Sequence, residues 1–127
     1  MKNNLSIEEI EEIKNNEWVI FSTSKDNIPH SVVVMPSRVE SDKIILSSIQ
    51  MVKSIENLKA NNKGFIGIYL KNKDDKQYKI DCVCEVFNEG TLFNEIKNYE
   101  EENNLPEELK VNSIIVCKFE NIEICLG

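Results

Sequence analysis

The alternation of hydrophobic and polar residues along the chain predicts a small protein built mainly of β-strands. Short runs of β-branched and aromatic residues are separated by polar segments that contain Asn, Asp, Gly or Pro. Such runs are typical of strands, and the polar segments between them are typical of turns. The pattern predicts strands over residues 18–24, 30–35, 44–49, 65–70, 77–87 and 113–125, the second of them bent at Pro36 and resuming through Val39.

Three segments have the periodicity of a helix instead. Residues 1–16 form an N-terminal helical segment in which Ser6 and Glu9 make a capping box, followed by isoleucines at helical spacing. The segment 52–62 also repeats its apolar residues every three positions, which places them on one helical face. A third helix is predicted over about residues 92–102.

The order of these elements predicts one mainly β domain with flanking helices. Turns of two to five residues join several of the strands, which is typical of antiparallel neighbours in a meander. We therefore expect a six-stranded meander that closes into a small barrel over residues 1–127. The sequence lacks the Gly-x-Gly-x-x-Gly, Walker and Gly-x-Ser-x-Gly motifs, which disfavours the corresponding nucleotide-binding and hydrolase classes.

Composition narrows the range of partners. The formal net charge of −7 argues against nucleic acid, because binding to a phosphate backbone needs a positive surface. No apolar run is long enough to span a membrane and no signal-peptide pattern is visible, so we expect a cytoplasmic protein. Cys82, Cys84, Cys117 and Cys125 lie in apolar runs without Cys-x-x-Cys spacing. We interpret them as buried, reduced thiols and expect no metal site.

The segment 44–62 carries the candidate chemistry. It predicts a buried strand, a short polar bend and an amphipathic helix, with Ser47, Ser48, Lys53 and Ser54 around the helix N-terminus. Hydroxyls, an ammonium group and free backbone N–H groups at the positive end of a helix dipole favour an anion such as phosphate. The alternative is an ordinary connection in which the serines cap the helix. These residues alone leave both interpretations open.

Four short motifs, taken in order, resemble those of a known superfamily. From Trp18 onward their order and spacing are similar to the FMN-binding split β-barrels, the superfamily of pyridoxamine 5′-phosphate oxidase. The greatest similarity is to its short bacterial FMN-binding proteins. The motifs are Ser22-Thr23-Ser24, Asn27-Ile28-Pro29-His30, Lys43-Ile44-Ile45-Leu46-Ser47-Ser48 and Lys53-Ser54-Ile55-Glu56-Asn57-Leu58.

The resemblance implies a fold, a cofactor and an assembly. It implies a six-stranded antiparallel split β-barrel that binds FMN in two grooves between the subunits of a homodimer. The flavin ring would lie along the second strand against backbone groups, and hydroxyl and basic side chains would hold the phosphate. Asn57 would brace the site, and Leu126 of the partner subunit would cover the ring. The residues implied to bind the cofactor are Val33, Val34, Met35, Pro36, Ser47, Ser48, Lys53 and Ser54.

The chain departs from the catalytic members of this superfamily. Arg38 is its only arginine, so the arginine clamp for a substrate phosphate is missing and vitamin B6 oxidation is not expected. His30 is interpreted as a hydrogen-bonded structural residue rather than as a contact of flavin or substrate. Because it is the only histidine and has no axial partner, heme is less favoured than FMN.

Three functions remain open from the sequence. The first is a flavin redox protein or oxidoreductase that exchanges electrons or hydride with a small-molecule donor or acceptor, the chemistry residing in the cofactor. The second is a flavin-binding carrier module without a substrate of its own. The third is a cofactor-free dimerising barrel. A related phosphorylated cofactor, such as a deazaflavin, remains an alternative to FMN.

Overall fold

Strands and helices follow one another much as the hydrophobic pattern predicts. The structure, a computed structural model, describes residues 2–71 and 73–126. None of the helices in this described part is both long and apolar enough to cross a membrane. The helices are α1 (Ile7–Asn16), α2 (Val52–Ala60) and α3 (Thr91–Asn103). The strands are β1 (Val19–Lys25), β2 (Ile28–Val34), β3 (Arg38–Val39), β4 (Lys43–Ser48), β5 (Lys63–Leu70), β6 (Lys76–Phe87) and β7 (Ser113–Leu126).

The strands form a single antiparallel sheet in the order β2-β1-β5-β6-β7-β4-β3. The two outermost strands, β2 and β3, follow each other along the chain and are separated only by residues 35–37. Four Cα–Cα steps of about 3.8 Å span at most ~15 Å, so the two ends of the sheet must lie close together. The sheet therefore curls into a split barrel, although no ladder joins β2 to β3 within the described residues.

The strand count and the closure of the barrel differ from the prediction. Six strands in a closed barrel were expected, whereas the described chain has seven strands in a sheet that stays open. Pro36, just beyond β2, has no backbone N–H to donate to a ladder. Ser37 then re-enters the sheet by donating its N–H to the Ile45 carbonyl at 2.8 Å. The next two residues pair with β4, so the resumed part of the predicted second strand is a separate strand, β3.

The curled sheet encloses one main hydrophobic core. Phe21 and Tyr78 are among its fully buried members, and α1 contributes Ile13. A second, smaller cluster lies where α3 packs against β4 and β7. Because neighbouring residues on a strand point to opposite sides, Ile44 joins the main core and Ile45 joins the second cluster. The buried members of the second cluster are Ile45, Phe93, Ile96, Val111 and Ile114.

The capping box predicted for α1 is confirmed. The Ser6 hydroxyl accepts the Glu9 N–H at 3.2 Å, and the Glu9 carboxylate accepts the Ser6 N–H at 2.8 Å. Glu12 of the same helix accepts hydrogen bonds from the Lys76 ammonium and the Tyr78 hydroxyl, which hold the pKa of the Glu12 carboxyl below its usual value. This contact between α1 and the sheet therefore weakens as the pH falls through that lowered pKa.

The turn between β1 and β2 requires left-handed backbone at both of its residues. Asp26 and Asn27 have φ angles of 54° and 63°, as in a type I′ turn. We predict that Asn27→Ala lowers the free energy of unfolding by about 1 kcal/mol. In left-handed backbone the Cβ lies too close to the following carbonyl oxygen, a cost that Asn and Asp offset with local hydrogen bonds and that Gly avoids. Asn27→Gly is expected to leave the stability equal or higher. Urea denaturation compares the two variants, and equal stabilities would contradict the prediction.

Candidate functional site

Helix α2 begins without a side-chain cap. Met51 occupies the N-cap position, no side chain hydrogen-bonds the first helical amides, and the first turn contains no acidic residue. The Ser48 hydroxyl accepts the Met51 N–H at 3.3 Å, which lies one residue before the helix. The interpretation of the serines as helix caps is therefore wrong. The positive end of the α2 dipole has no counter-charge in its own first turn, which favours an anion there.

A cavity of about 300 Å³ lies between the β1–β2 turn and the N-terminal half of α2. Lys53 lines it together with Lys25 and His30, so two ammonium groups and an imidazole line the same space, against the single carboxylate of Asp26. Lys25 also contacts the Glu56 carboxylate at 3.3 Å. We call this space the cationic cleft. Its lining residues are Lys25, Asp26, Ile28, Pro29, His30, Lys53 and Asn57.

His30 lies in β2, near the start of the predicted strand, and is half-buried in the wall of the cationic cleft. Its interpretation as a hydrogen-bonded structural residue rather than a contact of flavin or substrate stays a prediction. Its register partner on β1 is Thr23, which lies just before the β1–β2 turn. No spacing rule in the sequence pointed to this position, because the cleft is closed by α2, which follows more than twenty residues later.

Two buried polar atoms on α2 lack hydrogen-bond partners. Ser54 is fully buried and Asn57 is 1% exposed, yet the Ser54 Oγ and the Asn57 Oδ1 are unpaired. An unpaired buried polar group costs about 1–3 kcal/mol, so such atoms in a native protein call for a ligand, a water molecule or a structural reason. Both residues lie in the first two turns of α2, and Asn57 lines the cationic cleft. The lysines of the cleft and the free amides of α2 are donors that fit a bound phosphate ester, whereas the Asn57 Oδ1 is an acceptor and would pair with a hydroxyl or a water molecule instead.

Helix α2 is held against the end of β1 by polar contacts. The Asn57 Nδ2 donates to the Thr23 Oγ1 at 3.1 Å, and the Asn61 Nδ2 donates to the Ser24 Oγ at 3.0 Å. The first of these contacts is the kind of brace that the resemblance implied for Asn57. Together they position the helix N-terminus beside the β1–β2 turn, which is what creates the cationic cleft.

The two serines at the end of β4 lie on opposite sides of the strand. Ser47 shares the outer face with Ile45, and its hydroxyl hydrogen-bonds the Ser37 hydroxyl at 2.6 Å. Glu100 of α3 lies next to Ser37, and burial raises the pKa of its carboxyl. Ser48, which is almost fully buried, points to the inner face. A carboxyl group beside Ser37, the hydrogen-bond partner of Ser47, makes this outer face a poor place for an anion.

The four residues predicted to hold the phosphate do not line one common cavity. Lys53 lines the cationic cleft, whereas Ser48 lines a different cavity of about 360 Å³ on the other side of α2, together with Lys59 and Asn112. Ser54 is buried in the helix between these two cavities. A phosphate-binding role for Ser47, Ser48, Lys53 and Ser54 stays a prediction, for which the geometry favours Lys53 alone.

The strand predicted to carry the flavin ring presents an exposed apolar face. Val33 is 66% exposed and lies opposite Ile20, which is 47% exposed. Met35 follows on the same side and is also exposed, while Val34 and Pro36 are half-buried. Exposed apolar surface of this kind marks an interaction site. We call it the apolar face, and its members are Trp18, Ile20, Val33, Met35 and Tyr69.

Within the described residues no group of three or more His, Cys, Asp or Glu side chains is arranged to hold a metal ion. Leu126, which the resemblance placed over the ring of a partner subunit, is exposed near the end of β7. Its role stays a prediction.

Comparisons with known proteins identify the fold. No protein-family model and no curated protein matches the sequence. A Clostridium acetobutylicum protein of the pyridoxinephosphate oxidase family, related to general stress protein 26, has a similar structure. It is 17% identical, with a TM-score of 0.75 over 95% of this chain and 87% of that chain. An FMN-binding protein from Syntrophomonas wolfei is 22% identical, with a TM-score of 0.72 over 93% of this chain and 84% of the other.

A third similar structure is associated with a different cofactor. HutZ, a heme storage protein from Vibrio cholerae, is 11% identical, with a TM-score of 0.69 over 99% of this chain and 95% of that chain. The chain thus has the pyridoxamine 5′-phosphate oxidase-like split-barrel fold, as the motif resemblance predicted. At these identities the likeness concerns the fold, and the fold accommodates proteins described with FMN and with heme.

Proposed function

We propose that this protein is a homodimeric flavoprotein that binds FMN and uses it to exchange electrons or hydride with a small molecule. The observation that carries the proposal is the cationic cleft at the uncapped N-terminus of α2. There Lys25, His30 and Lys53 outnumber the single carboxylate of Asp26, and the first turn of the helix contains no acidic residue. A phosphate monoester complements both the side-chain charges and the helix dipole.

The path of β2 links this phosphate site to the place proposed for the ring. β2 runs from the β1–β2 turn, where Pro29 lines the cationic cleft, to the apolar face around Val33 and Met35, and these three residues lie on the same side of the strand. At about 3.3 Å per residue the distance from Pro29 to Met35 is ~20 Å. That separation suits an extended ribityl phosphate with a three-ring flavin at its far end. One cofactor would therefore place its phosphate in the cationic cleft and its ring on the apolar face.

A homodimer explains why the apolar face is uncovered in the single chain. Ile20, Val33 and Tyr69 lie on one side of neighbouring strands β2, β1 and β5, so a second copy can pack against a continuous surface. Burying these side chains contributes about 25 cal/mol per Å² of apolar area removed from water. A flavin ring lying on β2 would also be shielded from water by the second subunit.

The protein residues supply binding and orientation in this proposal. FMN, when bound, supplies the electron or hydride transfer itself. Lys25, Lys53 and the α2 amides hold the phosphate, and the backbone of β2 orients the ring. The only arginine, Arg38, is paired with Glu95 and lies 3.8 Å from Glu40. It lies outside the cationic cleft, so no arginine is present there to clamp the phosphate of a substrate such as pyridoxamine 5′-phosphate.

Heme is the competing ligand because His30, the only histidine, lines the cationic cleft, where two lysines could pair with propionate groups. A titration separates the possibilities. Purified protein is titrated with FMN, with riboflavin, which lacks the phosphate, and with hemin, and binding is followed by fluorescence and absorbance.

We expect FMN to bind at least about tenfold more tightly than riboflavin, because charge-assisted hydrogen bonds contribute about 1.5–3 kcal/mol each. Equal affinities for FMN and riboflavin would contradict the phosphate site. If only hemin binds, heme and not FMN is the cofactor. If none of the three binds, the protein is a cofactor-free barrel. Reduction of bound FMN by NADH or NADPH, followed by reoxidation with an added acceptor, would distinguish a redox protein from a carrier module.

A further inference from the structure

Two buried thiols face each other across the longest strand pair of the sheet. Cys84 on β6 and Cys117 on β7 are directly paired in the β-sheet register. Both are free thiols, 5% and 0% exposed, and both belong to the main hydrophobic core. The proposed flavin site uses neither of them.

The backbone hydrogen bonds of Cys84 define the type of this pair. Its N–H donates to the Asn62 carbonyl at 2.8 Å, on the side of β5. In an antiparallel strand the N–H and C=O groups of one residue point to the same side, so towards β7 Cys84 forms a non-hydrogen-bonded pair. The Cα atoms of such a pair lie about 4.5 Å apart, with the side chains at their closest. That separation falls within the range of about 4.4–6.8 Å found for disulfides.

The surroundings leave room for the Cys84 sulfur. A Cβ atom added to Gly64 on β5 would lie 2.7 Å from the Cys84 Sγ, so the glycine creates the space that this sulfur occupies. Burial raises the pKa of the Cys117 thiol, and the neighbouring Cys84 raises it further. The Cys117 thiol is therefore protonated and slow to react, as expected for a thiol that stays reduced until an oxidant is supplied.

We propose that Cys84 and Cys117 form a redox-sensitive pair that a hydroperoxide converts into a disulfide across β6 and β7. Hydrogen peroxide oxidises one thiol to a sulfenic acid and releases water. The second thiol then attacks the sulfenic sulfur, an S–S bond forms, and the hydroxyl group leaves as a second water molecule. Two thiols and one peroxide thus give one disulfide and two waters.

An open groove lies near this pair, at Gly64 and Cys82. Cys82 lies two residues before Cys84 on the same side of β6 and lines an open groove of about 580 Å³ with Gly64 and Asp81. The strand register shifts between Asp81 and Cys82, which marks an irregularity in the β6–β7 ladder at this point. Cys82 itself faces Phe119 rather than a cysteine, so it has no direct cross-strand thiol.

The disulfide would join the two halves of the sheet. β6 is the last strand of the half β2-β1-β5-β6, and β7 is the first strand of the half β7-β4-β3. A bond between them closes a loop that contains α3, and a closed loop restricts the unfolded chain. Oxidation is therefore expected to raise the midpoint of thermal unfolding and to slow separation of the two halves.

Peptide mapping of the peroxide-treated full chain tests the proposal. Free thiols are alkylated under denaturing conditions without reductant, and the protein is digested with trypsin. The expected product is residues 80–97 joined to residues 111–118, with fragmentation placing the bond at Cys84 and Cys117, and an unfolding midpoint several degrees higher than in the reduced protein. Added reductant should return the midpoint to its original value.

Matched variants complete the test. Cys84→Ser should abolish both the joined peptide and the shift in midpoint, whereas Cys82→Ser and Cys125→Ser should retain both. A bond between Cys82 and Cys117, or oxidation of Cys125 alone with Cys84 and Cys117 still free, would overturn the proposal. The peptide map of the unsubstituted protein gives this answer even if Cys84→Ser fails to fold.

Discussion

Lys53→Ala is expected to weaken FMN binding by about ten- to a hundredfold, which corresponds to about 1.5–3 kcal/mol for a charged hydrogen bond. Lys53 lines the cationic cleft in the first turn of α2, where its ammonium adds to the positive end of the helix dipole. The side chain is exposed in the single chain, so its removal should leave the free energy of unfolding within about 0.5 kcal/mol of the parent protein. Fluorescence titration with FMN measures the change.

Lys59→Ala is the matched control for this prediction. Lys59 lies on the same helix and is also exposed, but it belongs to the last turn of α2 and lines the cavity on the other side. The control should change FMN affinity by less than about twofold, since surface charges beyond the first helical turn contribute little to the dipole effect. If both variants lose affinity equally, the cationic cleft is not the phosphate site. The loss in Lys53→Ala should also shrink when riboflavin replaces FMN.

Val33→Asp is expected to convert the proposed homodimer to a monomer and to abolish FMN binding with it. A carboxylate placed in a packed apolar interface costs several kcal/mol in lost hydration, which is a change in dimer affinity of more than about a hundredfold. Val33 is 66% exposed in the single chain, so the fold should survive the substitution. Sedimentation velocity gives the assembly state, and thermal unfolding confirms that the monomer is folded.

Ile7→Asp provides the comparison for Val33→Asp. Among the residues that the structure describes, Ile7 is the most exposed large hydrophobic one, at 81%, and an acidic residue is favourable at the N-terminus of α1. This variant should remain a dimer and retain FMN. If Ile7→Asp breaks the dimer and Val33→Asp does not, the interface lies elsewhere. If the parent protein is a stable monomer that binds FMN, the intersubunit site is wrong.

Local features were predicted well because neighbouring residues encode them. Ser6 and Glu9 cap α1 as expected, and Asp26 and Asn27 form the tight turn that their tolerance of left-handed backbone allows. The hydrophobic periodicities placed the six long strands and the three helices close to their observed bounds. The motif resemblance supplied the split-barrel fold, which the structure and the comparisons confirm.

The grouping of residues in the candidate site could not be predicted from the sequence. Ser47 and Ser48 were grouped with Lys53 because all three are near the start of α2 along the chain. The alternation of side chains along β4 sends the two serines to opposite faces, and Ser47 bonds instead with Ser37. His30 was interpreted as structural, and that role stays a prediction, but its place in the cleft wall was not predicted. Its neighbourhood depends on how α2 packs across β1, which involves contacts distant in sequence.

The sequence by itself determined the strands, the helices and the turn at Asp26 and Asn27. These depend on backbone preferences and on residues a few positions apart. Only the tertiary structure decided that the sheet stays open, that Lys25, His30 and Lys53 share one cleft, and that Cys84 meets Cys117. The physical reason is that these results depend on strand order and register, which arise from packing the whole core at once.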